Sequence, residues 1–217
     1  MDTRGDSDMR ARLLEAAAAL LAEQGPNALS TRRIAAAAET STMAVYTQFG
    51  SIDALVRAVV DEGFQRLADA FAACPNSLDP VADIARIGLA YVANARRNPN
   101  LYQVMFSTAS LGRFRPVTPQ ELQTGRRDTF DVVTAACTRA VAAERFRPAD
   151  GVVLSTQWWI VLHGYCMLEL AHYIGAHAGV PKILSPMLSN LFVGLGDEPG
   201  RAASSIVAAG LSTPVST

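Results

Sequence analysis

The chain of 217 residues is poor in cysteine, and it lacks both a long apolar run at its start and the motifs of catalysis. Its three cysteines, Cys74, Cys137 and Cys166, lie far apart and form no CxxC pair, which is typical of buried thiols in a cytosolic protein. The first ten residues, MDTRGDSDMR, are charged, so we expect neither a signal peptide nor a membrane anchor. No Ser-His-Asp order, glycine-rich phosphate loop or paired-acid motif is present. We therefore predict a cytoplasmic protein with no catalytic residue and no cofactor.

The chain also lacks the excess of positive charge that is typical of nucleic-acid-binding proteins. Its formal net charge is −1. Residues 1–50 carry five arginines (4, 10, 12, 32 and 33) against six acidic residues (2, 6, 8, 15, 23 and 39). If the protein binds DNA, the contacts therefore depend on where a few arginines lie and not on bulk charge.

No segment of the sequence shows the alternating apolar pattern of a β-strand. Apolar residues instead recur at helical spacing from Ser7 to Gln24 and from Ser51 to Cys74. Further helices are predicted to start where a capping residue precedes proline, at Asp79-Pro80, Asn98-Pro99 and Thr118-Pro119. Since half of the residues are hydrophobic, we predict a globular all-α protein of about nine or ten helices, with a mobile tail over residues 1–6.

The stretch from Ser30 to Leu55 predicts two short helices, a tight turn between them and the start of a long third helix. Ser30 is a good N-cap for the first, and Thr40 or Ser41 can cap the second. The second helix buries Val45 and Phe49 and exposes its other side chains. A helix of this length has too little apolar surface to be stable alone. We infer that its neighbours hold it outward so that it can enter a DNA groove, as in a helix-turn-helix.

This ordered set of residues resembles the operator-binding segment of TetR-type transcriptional repressors. The resemblance rests on Arg32-Arg33-Ile34-Ala35, on the run from Ser41 to Ser51, and on Leu55, and it covers about the first quarter of the chain. Two positions depart from the family pattern. Glu39 stands where the family usually has glycine in the turn, and Ile52 stands where it usually has a phosphate-contacting lysine.

The helix-turn-helix stretch offers two kinds of DNA contact. Arg32 and Arg33 lie in a first helical turn, where the helix dipole disfavours cations, so phosphate contact explains them better than a solvated face does. In the second helix, Met43 can touch a thymine methyl group, its polar neighbours can bond base edges or phosphates, and Tyr46 suits a phosphate anchor. The predicted DNA-contacting residues are Arg32, Arg33, Ser41, Thr42, Met43, Ala44, Tyr46, Thr47, Gln48 and Ser51. With Ile52 in place of lysine, we expect a salt-dependence slope of about 4 to 6 per dimer.

The segment from Gly151 to Ala178 predicts a helix that is buried on more than one side, because Glu169 is its only formal charge. It has two apolar stripes. One of them can line a pocket and contains Trp159, Leu162, Cys166, Leu170 and Tyr173. The other can face a second subunit and contains Trp158, Val161, Tyr165, Leu168 and His172.

Trp159-x-x-x-His163-Gly164 and Leu168-Glu169 resemble the C-terminal domain of a TetR subgroup named for its Trp-His-Gly signature. The resemblance implies a homodimer formed through the last helices, predicted over Ile183 to Leu195 and Arg201 to Leu211. It also implies a small-molecule effector, and the sequence favours an apolar or aromatic one. The predicted pocket residues are Phe64, Phe71, Tyr102, Met105, Phe106, Phe130, Trp159, His163 and Met167.

Glu169-x-x-His172 has the spacing of di-iron helix bundles, which gives a competing hypothesis. Such a site needs two further carboxylates, and the segment from Lys182 to Gly196 contains none. A simpler explanation is that Glu169 is a buried carboxylate paired with His172 or Tyr165. We likewise expect His163 to be a core histidine more readily than a ligand contact, and we predict no metal site.

Together with the resemblance, these patterns predict a ligand-responsive transcriptional regulator. The resemblance implies a homodimer that binds a palindromic double-stranded DNA operator, and it favours a repressor over an activator. Residues 1–50 form the helix-turn-helix DNA-binding domain, residues 51–211 the effector-binding and dimerisation domain, and residues 212–217 a tail. No membrane partner is expected. The alternative is a helical small-molecule-binding protein, or a di-metal carboxylate enzyme, without a role on DNA.

Overall fold

The computed structural model describes residues 3–106, 111–114 and 126–211, and every regular element within them is helical. The helices are α1 (Thr3–Gln24), α2 (Thr31–Ala37), α3 (Thr42–Phe49), α4 (Ile52–Ala72), α5 (Pro80–Arg97), α6 (Pro99–Phe106), α7 (Arg126–Ala142), α8 (Gly151–Leu170), α9 (Ala176–Leu195) and α10 (Pro199–Ala208). Short 3₁₀ turns cover Pro26–Ala28 and Gly112–Phe114. The predicted all-α class is confirmed.

The helix starts follow the capping signals of the sequence. The hydroxyl oxygens of Ser30, Ser41 and Ser51 accept hydrogen bonds from the amides of Arg33, Ala44 and Ala54, which lie three residues further on. The Asp79 carboxylate accepts from the amides of Val81 and Ala82 at the start of α5. Helix α6 begins at Pro99, directly after Asn98, as predicted.

The chain forms two compact units, and their limits differ from the predicted boundary at residue 50. The first unit contains residues 1–66 and 98–126, and the second contains residues 67–97 and 127–217. Helix α6 packs on α1 and therefore belongs to the first unit. Helix α4 runs through the division, since Arg66 belongs to the first unit and Leu67 to the second.

The first unit has a core of aliphatic side chains from α1, α2, α3, α4 and α6. Leu13, Ile34, Val45 and Leu55 are fully buried in it. Ile52 is half-buried against the same core, so the residue that replaces the family's phosphate-contacting lysine serves packing.

The second unit is organised around α5, which packs on α8 and α10. A buried polar cluster closes one end of it: Arg145 donates to both carboxylate oxygens of Asp197 at 2.6 Å and to Asp79 at 2.8 Å. Ser205 accepts from Arg145 and donates to Asp79. Because a buried charge is costly when unpaired, these partners tie the end of α7 to α10 and to the start of α5.

Three predicted boundaries differ from the structure. Helix α1 begins at Thr3, so residues 3–6 are helical and not a tail. The helix predicted over Gly151 to Ala178 ends at Leu170, because His172 adopts a left-handed φ of 63°. The next helix, α9, begins at Ala176 and not at the predicted Ile183, and it contains a π-helical turn over Val180–Leu184. The capping box predicted at Thr118-Pro119 lies outside the described residues.

By length and composition alone, helix α9 is long and apolar enough to cross a membrane. Only 33% of its most apolar stretch of 18 residues is buried. A core or interface helix of a soluble protein passes the same test. The low burial of α9 therefore indicates mainly that the second unit leaves part of its apolar surface uncovered.

Candidate nucleic-acid interface and effector site

Helix α3 presents a polar and partly apolar face outward from the first unit. Val45 is fully buried, whereas Met43 and Tyr46 are 70% and 51% exposed. Gly50 ends the helix with a φ of 75°, a conformation that glycine adopts without strain. Val45 is fully buried in the core and Phe49 is half-buried against it, while the outer face of the helix is open.

The turn between α2 and α3 places Glu39 at a φ of 52°, in the left-handed region. Its amide bonds the Ala36 carbonyl, and the Thr40 amide bonds the Ala35 carbonyl at 2.9 Å, which is the Schellman arrangement. Arg12 of α1 donates to the carbonyl oxygens of Ala38 and Glu39. Glycine adopts this left-handed φ without strain, which explains why the family usually has glycine at this position. In this chain Glu39 adopts it, and the hydrogen bonds from Arg12 stabilise the turn.

The end of α3 contacts the start of α1. The side-chain amide of Gln48 donates to the carboxylate of Asp6. One residue on, the Phe49 ring lies under the guanidinium of Arg10, at 4.4 Å from the ring centroid. Arg10 also donates to the Gln48 carbonyl at 3.4 Å. Gln48 is therefore engaged by α1, a contact that the sequence did not indicate.

Nine of the ten predicted DNA-contacting residues lie on α2, on α3 or at the N-cap of α3, and the tenth, Ser51, is the N-cap of α4. Arg32, Arg33, Ser41, Thr42, Met43, Tyr46 and Thr47 are exposed, and Ala44, Gln48 and Ser51 are half-buried. Arg33 donates to the side chain of Gln24. The structure thus brings these residues to the surface of the first unit, and their contacts with DNA remain a prediction.

The second unit contains a cluster of five aromatic rings, which we call the aromatic cluster. It consists of Phe71, Tyr91, Phe130, Trp158 and Trp159. The Tyr91 and Trp159 rings meet edge to face at 4.9 Å, and Phe130 stacks on Trp159 at 6.4 Å. The Tyr91 hydroxyl is 3.3 Å from Nδ1 of His163. Burial lowers the pKa of His163 below its usual value. The cluster is apolar with a few polar groups, as small-molecule sites usually are.

A cleft of about 330 Å³ lies beside Phe71 in the same unit, and we call it the Arg139 cleft. It is formed by the end of α4, by α5 and by α7, with Phe71, Cys74, Asp83, Ile87, Val132 and Arg139 among its lining residues. A larger open groove of about 470 Å³ lies near the start of α10. Its acidic residues and Arg145 are already engaged in ion pairs and helix caps, so we do not assign it a ligand.

Eight of the nine predicted pocket residues fall into two groups. Phe71, Phe130, Trp159 and His163 lie in the second unit around the aromatic cluster. Phe64, Tyr102, Met105 and Phe106 lie in the first unit, where the Phe106 ring is 5.8 Å from Phe64 and 4.9 Å from Tyr102. There Gly63 leaves the space that the Met105 side chain fills.

The assignment of the two stripes on α8 is corrected by burial. Met167, predicted in the pocket, is 43% exposed, and Tyr173 lies beyond the helix and is exposed. Trp158 and Tyr165, predicted to face a second subunit, are buried within their own unit. Each predicted stripe therefore mixes buried and exposed positions, because the buried face of α8 lies between them.

Glu169 is buried in an ion pair that explains its presence without a metal. Arg96 donates to both of its carboxylate oxygens, at 2.6 and 2.8 Å, and Tyr165 donates at 2.6 Å. The Tyr165 pairing was predicted and the Arg96 pairing was missed, while His172 is exposed. Within the residues that the structure describes, no three His, Cys, Asp or Glu side chains group as metal ligands would.

Two family models match the chain. One, described as bacterial regulatory proteins of the tetR family, matches residues 13–59, and the other, described as tetracyclin repressor-like, C-terminal domain, matches residues 84–191. The chain belongs to the TetR family. It is a ligand-responsive transcriptional regulator of this type, although the Trp-His-Gly subgroup suggested by the sequence is not confirmed.

Several solved structures share the fold of this chain. A bacterial regulatory protein of the family from Rhodococcus RHA1 has a TM-score of 0.73 at 21% identity, covering 88% of this chain and 98% of its own. The TetR-family regulator PfmR from Thermus thermophilus has a TM-score of 0.62 at 22% identity, covering 72% and 85%. A protein of unknown function from Rhodococcus sp. RHA1 has a TM-score of 0.71 at 23% identity, covering 87% and 96%. No curated protein matches the chain significantly.

Sequence reasoning missed several residues of the candidate effector site. Tyr91 and Trp158 belong to the aromatic cluster, and Asp83 and Arg139 line the cleft. The signal for Tyr91 was available, since Ile84, Ile87, Tyr91 and Val92 follow helical spacing on α5. The pairing of Asp83 with Arg139 joins residues that are 56 positions apart, and no local pattern indicates it.

Proposed function

We propose that this TetR-family protein is a homodimeric repressor that binds a palindromic operator through α3 and is released by a small-molecule effector. The observation that carries the proposal is the exposed face of α3, where Met43, Tyr46 and Thr47 stand outward on a helix anchored by Val45. Two such helices, one from each subunit, would have to lie about 34 Å apart to enter successive major grooves.

An uncovered apolar face in the second unit supports the homodimer. On α8, Val153, Ile160, Met167 and Leu168 are exposed, and a Cβ atom added at Gly164 would meet nothing within 4 Å. On α9, which packs against α8, Ile183 and Met187 are also exposed. Contiguous apolar surface of this kind indicates a protein interface, and glycine permits a close approach of a partner helix.

The effector would bind in the second unit, at the aromatic cluster and the adjoining Arg139 cleft. Helix α4 carries Phe71 of that cluster near its end, and it starts two residues after α3. A ligand that binds better to one position of α4 would therefore change the separation of the two α3 helices and lower operator affinity. Because transcription takes place on the chromosome, we expect the protein to act in the cytoplasm, and no catalytic role is proposed.

The decisive experiment is a gel shift with the DNA immediately upstream of the protein's own gene. The wild type should retard this fragment more strongly than a scrambled duplex of the same composition. Tyr46→Ala should abolish the shift, whereas Tyr46→Phe should retain part of it because the ring stays. A wild type that does not distinguish the two duplexes would overturn the assignment of this operator.

The dimer is tested separately, by sedimentation of variants with an added charge. Ile160→Glu places a carboxylate in the exposed face of α8 and should convert the dimer into monomers. Leu78→Glu makes the same change at a fully exposed loop position and should leave the dimer intact. If Ile160→Glu stays dimeric at micromolar concentration, the face is not the interface.

A further inference from the structure

The Arg139 cleft has the dimensions and walls of a small-molecule site. Its volume of about 330 Å³ lies at the low end of the range for such sites. Phe71, Ile87, Val132 and Ala136 supply apolar walls from three different helices. Phe71 also belongs to the aromatic cluster, so one wall of the cleft is continuous with the proposed effector site. The inference that follows rests on that proposed function and specifies its ligand.

The charged side chains that line the cleft are Asp83 and Arg139, and a second cation, Arg86, pairs with Asp83 from outside the lining. Asp83 is buried and pairs with two guanidinium groups, Arg86 at 2.5 Å and Arg139 at 2.6 Å. The amide and hydroxyl of Ser77 also donate to the same carboxylate. Burial alone would raise the pKa of Asp83, but these donors outweigh it and lower the pKa below 3.8. One carboxylate therefore meets two cations, which leaves one positive charge uncompensated.

The uncompensated charge is best assigned to Arg139. Arg86 has further partners in the Pro75 carbonyl and the Ser77 hydroxyl. Arg139 makes a single hydrogen bond within the described part of the chain, to Asp83, and its side chain is 38% exposed. Its helical neighbours at positions 135, 136, 142 and 143 are all alanine, so α7 supplies no acid beside it.

We propose that the effector is a small amphipathic anion, an arylalkyl carboxylate or a close analogue. Its apolar body would fill the cleft against Phe71 and Val132, and its carboxylate would accept hydrogen bonds from the free donors of the Arg139 guanidinium. A carboxylate suits this guanidinium because the planar fork can donate two parallel hydrogen bonds. This adds a charged head group to the apolar or aromatic effector that the sequence favours.

The test compares an acid with its neutral isostere, 4-phenylbutyrate with 4-phenylbutyramide, by calorimetric titration of the purified, DNA-free protein. We expect the acid to bind at least about tenfold more tightly than the amide. Arg139→Gln should remove this preference, while Arg97→Gln, at an exposed arginine at the end of α5, should keep it. Equal binding of acid and amide, or an unchanged preference in Arg139→Gln, would overturn the proposal.

A second variant locates the site independently of charge. Val132→Trp, at a partly exposed wall of the cleft, should exclude the body of both probes and leave thermal stability unchanged. Unaltered binding in that variant, or no binding of either probe to the wild type at millimolar concentration, would also overturn the proposal. Because these titrations contain no DNA, their outcome is independent of the operator gel shift.

Discussion

The carboxylate of Asp6 in α1 accepts a hydrogen bond from the side-chain amide of Gln48 in α3. The contact places an acidic residue beside the helix that is proposed to enter the major groove. It occupies an amide that could otherwise bond a base edge or a phosphate. On the proposed DNA-binding surface, such an acid would oppose binding in two ways: it would repel phosphates, and it engages a candidate contact residue.

We therefore expect Asp6→Ala, which removes both the charge and the acceptor of the Gln48 hydrogen bond, to strengthen operator binding by about tenfold at low salt. Asp8→Ala is the matched control, because Asp8 is exposed on the same helix. It should raise affinity for operator and scrambled duplexes alike, through charge alone. Fluorescence anisotropy with both duplexes measures the two effects.

A double-mutant cycle separates the contact from the charge. In a Gln48→Ala background, Asp6→Ala should have the same effect as Asp8→Ala, because the hydrogen bond is already absent. If Asp6→Ala and Asp8→Ala behave alike in the wild-type background, the Asp6–Gln48 contact does not influence DNA binding.

The left-handed Glu39 gives a prediction about stability. Glu39→Gly removes the strain of a side chain at a φ of 52°, and we expect it to raise the free energy of unfolding by about 0.5–1 kcal/mol. Ala36→Gly, at an exposed position inside α2, should lower it by about 1 kcal/mol. Urea unfolding of both variants measures these values. A Glu39→Gly variant less stable than the wild type would show that the carboxylate itself contributes to the turn.

The sequence predicted elements whose signals are local. The serine caps of α2, α3 and α4 each depend on a hydroxyl and an amide three residues away, and they are found as expected. Glu39 stands where the family usually has glycine in the turn, and the structure has a left-handed turn residue at that position. What could not be predicted is the break after Leu170, because His172 takes a conformation that glycine usually marks.

Pairings between distant residues were equally hidden from the sequence. Glu169 was expected to find a partner on its own helix, and it does so in Tyr165. Its stronger partner, Arg96, comes from α5, 73 positions away. The buried face of α8 could not be predicted for a similar reason. Because the helix is apolar on all sides, its own sequence does not indicate which face its neighbours cover.

The Glu169 ion pair predicts how stability depends on pH. Burial would raise the pKa of Glu169, but the hydrogen bonds from Arg96 and Tyr165 outweigh it and lower the pKa below 4.5. The folded state therefore favours the ionised form, and this contribution is complete above pH 4.5 and is lost as the pH falls further. Glu169→Gln should cost about 2 kcal/mol at neutral pH.

Urea unfolding at a series of pH values tests this dependence. The difference in free energy of unfolding between the wild type and Glu169→Gln should shrink as the pH falls below 4.5. Glu144→Gln, at an exposed residue, should track the wild type at every pH. A difference that does not change with pH would mean that the loss in Glu169→Gln comes from packing and not from charge.

Operator binding should depend only weakly on salt, because several arginines near α3 already hold protein groups. Arg12 bonds the carbonyls at the end of α2, Arg33 bonds Gln24, and Arg10 lies over Phe49. Ile52 is half-buried in the core. Few cations per subunit are therefore free to displace counterions, and we expect log Kd to change with log salt with a slope of about 4 to 6 per dimer.

Ile52→Lys is the informative variant for the salt dependence. If position 52 lies near a phosphate, the added cation should steepen the slope by about 2 per dimer, one for each subunit, and should tighten operator and scrambled duplexes together. Gln65→Lys, on the same helix three turns further on, adds the same charge away from α3 and should leave the slope unchanged. A wild-type slope near 10 would show that Arg10, Arg12 or Arg33 leaves its protein partner to bind phosphate, which would make the contacts seen in the free protein a feature of that state alone.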